Sequence, residues 1–147
     1  MKKNKKITVA VSGGFDPIHI GHLRLFEAAK KLGDELVVIL NNDNWIKKKK
    51  GKSFMSEDER REIVKAIKWV DRVVVTGHAY DSSDMSVCKE LEEIRPDIFA
   101  NGGDRFPDNI PEVATCEKNG IRMEFAVGRG GKIQSSSWLI KKAAEIK

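Results

Sequence analysis

Cysteine is nearly absent from this chain: 147 residues hold two, Cys88 and Cys116. Two thiols so far apart make neither a disulfide framework nor a structural zinc site, and they read as free thiols of a reducing cytoplasm. Long apolar runs are missing too. The longest is "LVVIL", Leu36 to Leu40, far short of the roughly 20 residues a membrane span needs. "MKKNKK" at the start is basic, but only a strand-length run follows it and no small-residue cleavage site, so it does not read as a signal peptide. There is no internal repeat, low-complexity tract or linker. Two common nucleotide fingerprints are also lacking. "KKKKGKS" ends like a P-loop, yet Ile46 stands where its first glycine belongs. The first strand is followed by "GGFDPIHIGH", which is not GxGxxG. P-loop kinases and dinucleotide-dependent dehydrogenases are thereby excluded.

What is present is charge and alternation. The net charge is +5, carried largely by a basic tail over residues 1–6 (Lys2, Lys3, Lys5, Lys6) and by the run Lys47 to Lys50. Such a field attracts phosphate in general, whether of nucleotides, phosphorylated metabolites or nucleic acid. Short β-branched runs at 7–12, 35–41, 72–75, 97–100 and 122–126 predict strands. Amphipathic stretches at 20–32, 56–68, 84–94, 112–119 and 136–146 predict helices. Ser56 and Glu59 form a capping box, Gly33 and Gly120 stand at C-terminal cap positions, and Pro96 stops the third helix. Strand and helix in alternation predict one α/β domain over residues 1–147. It is a doubly wound, Rossmann-like parallel sheet of five strands, order 3-2-1-4-5, with helices on both faces. Ligands of such folds sit beyond the carboxyl ends of the strands at the switch point. There the order places "GGFDPIH" and "NGGD" together.

In "GGFDPIHIGH" the histidines His19 and His22 fall three residues apart where strand gives way to helix. That spacing puts both imidazoles on one side of a helix N-terminus, where free N–H groups and the macrodipole already favour an anion. Gly21 removes a side chain between them, Gly13 and Gly14 free the loop to expose its N–H groups, and Pro17 stiffens it. The arrangement suits a phosphate that gains negative charge during reaction. A metal reading lacks a third ligand nearby in sequence. His78, Trp45, Trp69 and Trp138 have no motif around them and read as packing or surface residues.

"GGFDPIHIGH" resembles the GxFDxxHxGH signature of the HxGH nucleotidyltransferase superfamily, which includes glycerol-phosphate and phosphoethanolamine cytidylyltransferases and the heptose-phosphate adenylyltransferase domain. "SEDERREIVKAIKWVDRVV" is similar to that family's second helix and third strand. "NGGD" is similar to its loop after strand four, and "SSSWLIKKA" to its closing S-T-T-x-I helix start. The resemblance spans almost the whole chain. It implies transfer of a nucleoside monophosphate from CTP or ATP to the phosphate of a small phosphorylated polyol, sugar or amino alcohol. Pyrophosphate leaves, magnesium accompanies the nucleotide, and the enzyme is a homodimer. Carried over by position, His19 and His22 would stabilise the reacting α-phosphate, and Lys47 and Lys50 would neutralise phosphate charge. Gly13, Gly14, Phe15, Asp16, Gly21, Asp104, Arg129, Ser135, Ser136 and Ser137 would hold the nucleotide, Asp16 by fixing the loop. Arg60, on the polar side of its helix, would contact the acceptor's phosphate.

The chain departs from familiar members in its last loop. "GRGGKIQSSS" replaces the R-T-x-G-I-S-T-T of glycerol-phosphate cytidylyltransferases, and Arg129 stands for their arginine, leaning towards CTP. "NGGDR" is similar instead to the K-G-G-D-Y of heptose adenylyltransferases, leaning towards ATP. CTP stays slightly ahead. A non-catalytic nucleotide or nucleic-acid binding module is the alternative, resting on the basic tail and the lysine run. The intact histidine pair and serine cluster speak against it, since a pure binder has no use for a clamp on a reacting phosphate.

Overall fold

The structure, a computed structural model, describes residues 5–102, 110–128 and 136–145. Five strands run parallel in the order β3-β2-β1-β4-β5. They are β1 (Thr8–Gly13), β2 (Glu35–Leu40), β3 (Arg72–Val75), β4 (Ile98–Ala100) and β5 (Arg122–Glu124). The helices are α1 (Ile20–Lys30), α2 (Asp43–Lys50), α3 (Glu57–Lys65), α4 (Cys88–Ile94), α5 (Glu112–Asn119) and α6 (Ser136–Glu145). The topology is the predicted Rossmann-like one, with β1 pairing β2 from Thr8↔Glu35 to Gly13↔Leu40 and β4 at Val9↔Ile98 and Ala10↔Phe99.

The two-residue period of the strands divides the core. Val9, Val11, Leu36, Val38, Leu40, Ile98 and Ala100 face one side, packed with Phe26 and Ala29 of α1 and Val64 of α3. Ala10, Ile39 and Phe99 face the other, packed with Leu91 of α4 and Cys116 of α5. Strands covered on both faces read as continuous apolar runs, which is why "LVVIL" is a strand and why it is fully buried. Among the described residues no helix is long and apolar enough to cross a membrane. Both cysteines are free.

Several boundaries differ from the sequence expectation. The lysine run, which falls outside the predicted strands and helices, is the last turn of α2. Asn42 caps this helix by accepting from the Trp45 N–H at 2.9 Å, Asp43 sits in the first turn, and Gly51 follows the end at φ +95°. These start and stop signals were legible; the even charge hid them, because a helix with no apolar stripe leaves no period to find. Gly33 is not the cap: α1 ends at Lys30 with Lys31 as its cap, and a Cβ at Gly33 would lie 2.8 Å from the Ile7 carbonyl oxygen. α3 stops at Lys65, and Ile67 and Val70 pack on the core from the turn beyond. Ser56 accepts from the Glu59 N–H at 3.2 Å, the first half of the expected box.

Candidate active site

β1 delivers the chain to the switch point between β2 and β4, and the loop 14–19 turns it into α1. Here the glycines act by close approach. A Cβ on Gly13 would stand 2.9 Å from the Phe15 ring, and one on Gly14 would stand 2.7 Å from Ile46 Cδ1. Phe15, at φ +53°, folds its ring back into the core, edge-on to His22 at 4.7 Å and to Phe26 at 5.4 Å. The expectation that Phe15 packs a nucleotide is corrected on this geometry: it is buried behind His22 and supports that ring. Gly13 and Gly14 serve this packing, whatever their N–H groups also do.

The loop is tied from behind. Asp16 is buried, its peptide bond to Pro17 is cis, and its carboxylate accepts from the Phe54 N–H at 2.7 Å and the Met55 N–H at 2.6 Å. Arg60 is also buried, which corrects its placement on the polar side of α3. Its guanidinium donates to the carbonyls of Gly14 at 2.8 Å, Asn41 at 2.6 Å and Met55 at 3.0 Å, and pairs with Asp43 at 2.7 Å. A planar fork with this many fixed donors joins strand ends and loops that a single ammonium could not. With those donors engaged inside the protein, Arg60 holds the loop in place.

His19 and His22 cap α1 with each other. His19 Nδ1 accepts from the Gly21 N–H at 3.0 Å, and His22 Nδ1 accepts from the His19 N–H at 3.1 Å. This is a capping box made of two imidazoles, with Gly21 supplying a backbone donor. The rings stack at 3.8 Å. Burial, then the neighbouring His19 and Lys50, push the His22 pKa down to about 3; burial and Lys50 also lower that of His19. Both rings are therefore neutral near pH 7. An Nδ1 that accepts leaves the neutral ring's proton on Nε2. Neither Nε2 has a hydrogen-bond partner among the described residues. The pair thus presents two N–H donors without net charge.

The lysines divide. Lys50 donates to the Asp16 carbonyl at 3.3 Å and its charge is felt by both histidines. Lys47 lines another hollow with Asn44, Tyr80 and Asp81, where Lys48 pairs with Asp81 at 2.9 Å. Consecutive residues of a helix step round it by about 100°, so the four lysines fan out, and Lys47 and Lys50, three apart, are the nearest in phase. Ser136, at the start of α6, donates its hydroxyl to the Pro17 carbonyl at 2.7 Å and so stands at the loop. Asp104, Arg129 and Ser135 lie outside the described residues, as does the side chain of Ser137.

A cleft of about 690 Å³ opens beside Gly13, lined among others by Asn41, Trp45, Lys49, Met85 and Ser86. Of these the sequence marks Lys49, as part of the lysine run, and it reads Trp45 as a packing or surface residue. Trp45 Nε1 donates to the Met85 carbonyl at 2.8 Å, and Lys49 Nζ lies 5.7 Å from the centre of its ring. Ser86 in that lining is held by His78, whose ring bridges Thr76 Oγ1 at 2.8 Å and the Ser86 carbonyl at 2.9 Å.

Comparison with known proteins found relatives. The profile of the cytidylyltransferase-like family matches residues 10–129. An FAD synthase of Aciduliprofundum boonei is 39% identical over 118 residues, 80% of this chain and 75% of that one. The bifunctional protein HldE of Syntrophotalea carbinolica is 35% identical over 84% of this chain, which spans 24% of that protein. A crystal structure of the lipopolysaccharide core biosynthesis protein from Thermoplasma volcanium superposes with a TM-score of 0.66 at 31% identity, covering 82% of this chain and 94% of the other.

Proposed function

The chain belongs to the cytidylyltransferase-like family and is a nucleotidyltransferase; from that premise we propose that it moves AMP from ATP to the phosphate of flavin mononucleotide, forming FAD and releasing pyrophosphate. The pair of neutral imidazoles at the start of α1, each with Nδ1 engaged and Nε2 free to donate beside Lys50, carries the reading. The FAD synthases among the relatives move the balance from CTP, favoured slightly by the last loop, to ATP: an adenylyl group is what converts a flavin mononucleotide to the dinucleotide.

In this reaction an oxygen of the acceptor phosphate attacks the α-phosphorus in line, and the bond from that phosphorus to the bridging oxygen breaks. No proton has to move on the enzyme. What the protein supplies is position and donors aimed at the charge that grows on the α-phosphoryl oxygens. His19 and His22 fit that task because they are neutral: they donate without becoming nucleophiles or general acids. Lys50 and the positive end of α1 add charge compensation. Magnesium enters with the triphosphate as part of the substrate. Among the described residues no three His, Cys, Asp or Glu side chains gather to hold a metal of the protein's own, and no step is assigned to one. The homodimer belongs to the same reading, from the family resemblance, and the cytoplasmic setting follows from the two free thiols.

Pyrophosphate release by the purified protein tests it, with ATP and CTP offered separately against flavin mononucleotide, glycerol 3-phosphate and a phosphorylated sugar. Release with ATP and the flavin, falling on the order of 10²–10³ in His19→Ala, is the expected result. Release with CTP and glycerol 3-phosphate alone would replace both substrates, and no release or nucleotide binding at all would defeat the assignment.

A further inference from the structure

We propose that the cleft beside Gly13 is the ring site of the acceptor, and that Asn41 reads a ring N–H there. The inference rests on the adenylyl-transfer reading and adds to it where the acceptor lies and what recognises it. Three observations converge. Asn41 follows β2, lines the cleft and is almost fully buried, and among the described residues its Oδ1 is the buried side-chain oxygen that has no hydrogen-bond partner. A buried acceptor left alone costs free energy that a ligand N–H recovers on binding. Its backbone is not free to turn away, because its N–H donates to the Gly13 carbonyl at 2.9 Å and its carbonyl accepts from Arg60 at 2.6 Å.

Trp45 supplies the second observation. Its indole is locked by the bond to Met85 and offers a large, rigid apolar surface to the cleft. The third is size. At about 690 Å³ the cleft falls within the range of sites that enclose a whole heteroaromatic ligand, and a three-carbon polyol phosphate would leave most of it empty. The lining spans the switch point: Asn41, Trp45 and Lys49 follow β2, Gly13 ends β1, and Ile110, Pro111 and Glu112 lie at the start of α5. The ring belongs at the β2 end, where Asn41 and Trp45 stand. A planar ring with an imide N–H, carried on a phosphate that reaches Lys50 and the histidines, satisfies all three. The isoalloxazine ring of flavin mononucleotide is such a ring, with its donor at N3.

Flavin fluorescence on titrating the full chain reads this directly. Wild type, Asn41→Ala and Asn41→Asp are each titrated with flavin mononucleotide and with its N3-methyl analogue, and ATP affinity is measured alongside. Asn41→Ala should weaken flavin mononucleotide by about tenfold or more and leave ATP within about twofold. The N3-methyl analogue should bind wild type as weakly as it binds Asn41→Ala, so the two losses do not add. The comparison of the two flavins on wild-type protein needs no variant and stands even where one fails to fold. Flavin binding that ignores both N3-methylation and Asn41 would overturn this site while leaving the adenylyl-transfer reading intact. Absence of flavin binding, with ATP still bound, would overturn the site and the choice of acceptor together.

Discussion

A histidine buried as a neutral donor makes the protein sensitive to acid in a calculable direction. The pKa of His22 is near 3 in the folded chain against 6.5 when unperturbed, so between those values the unfolded chain binds a proton that the folded one refuses. Stability from this site is complete above about pH 6.5 and drains as the pH falls towards 3. His22→Gln keeps an acceptor at the third helical position and removes the titration. Urea unfolding should show wild type losing about 2 kcal/mol more than His22→Gln between about pH 7 and pH 5, while the variant's activity drops on the order of 10²-fold. Arg60 separates two roles just as cleanly. Arg60→Met would leave three carbonyls and Asp43 without their partner, and unfolding should register a loss of about 3–5 kcal/mol. An arginine that merely met an acceptor phosphate would instead raise KM at unaltered stability.

At the scale of elements, α2 is a short helix whose sequence supplies caps and charge but little apolar surface, with Ile46 its buried residue. Its cap therefore matters more than usual. Asn42 Oδ1 holds the first turn and Asn42 Nδ2 donates to the His78 carbonyl at 2.9 Å, so Asn42→Ala loses both, by about 1–2 kcal/mol in thermal or denaturant unfolding. Contacts also sort the lysines. Lys50→Ala should cut kcat/KM by about 10-fold or more, whereas Lys47→Ala, in a hollow with Tyr80, should stay within about threefold. Equal losses in steady-state assays would mean that the run acts as a diffuse field and that these contacts are irrelevant.

For the whole molecule the relevant quantity is the net charge of +5 against substrates that are polyanions. Long-range attraction of this kind is screened over about 8 Å at physiological ionic strength, and the bonds made inside the site are screened much less. Raising salt from about 50 to 200 mM should therefore raise KM a few-fold with kcat nearly constant. A nucleic-acid binder built on many phosphate contacts would lose affinity by about 10³ or more over that range. Salt titrations of nucleotide affinity distinguish the two.

Topology was readable from residue order because it depends on local signals that repeat: β-branched runs for strands, amphipathic stretches for helices, and the handedness of strand–helix–strand units. The place of the site followed, since a glycine-rich turn and paired histidines at the end of β1 must lie at the switch point of such a sheet. The lysine helix α2 escaped because a helix of uniform charge has caps but no period. Which residues turn inward could not be read at all. Arg60 and Phe15 carry chemistry that fits a ligand, and tertiary contacts, above all Gly14, Asn41 and Asp43 about the guanidinium and His22 and Phe26 about the ring, commit them to the interior. The same holds in reverse for Asn41 and Trp45. Nothing near them in the chain marks them, and they become a candidate site only when β2, α2 and the loop before α4 close round one cleft. Local patterning determined the scaffold and the histidine pair; long-range packing decided which donors are spent inside it and which are left for a ligand.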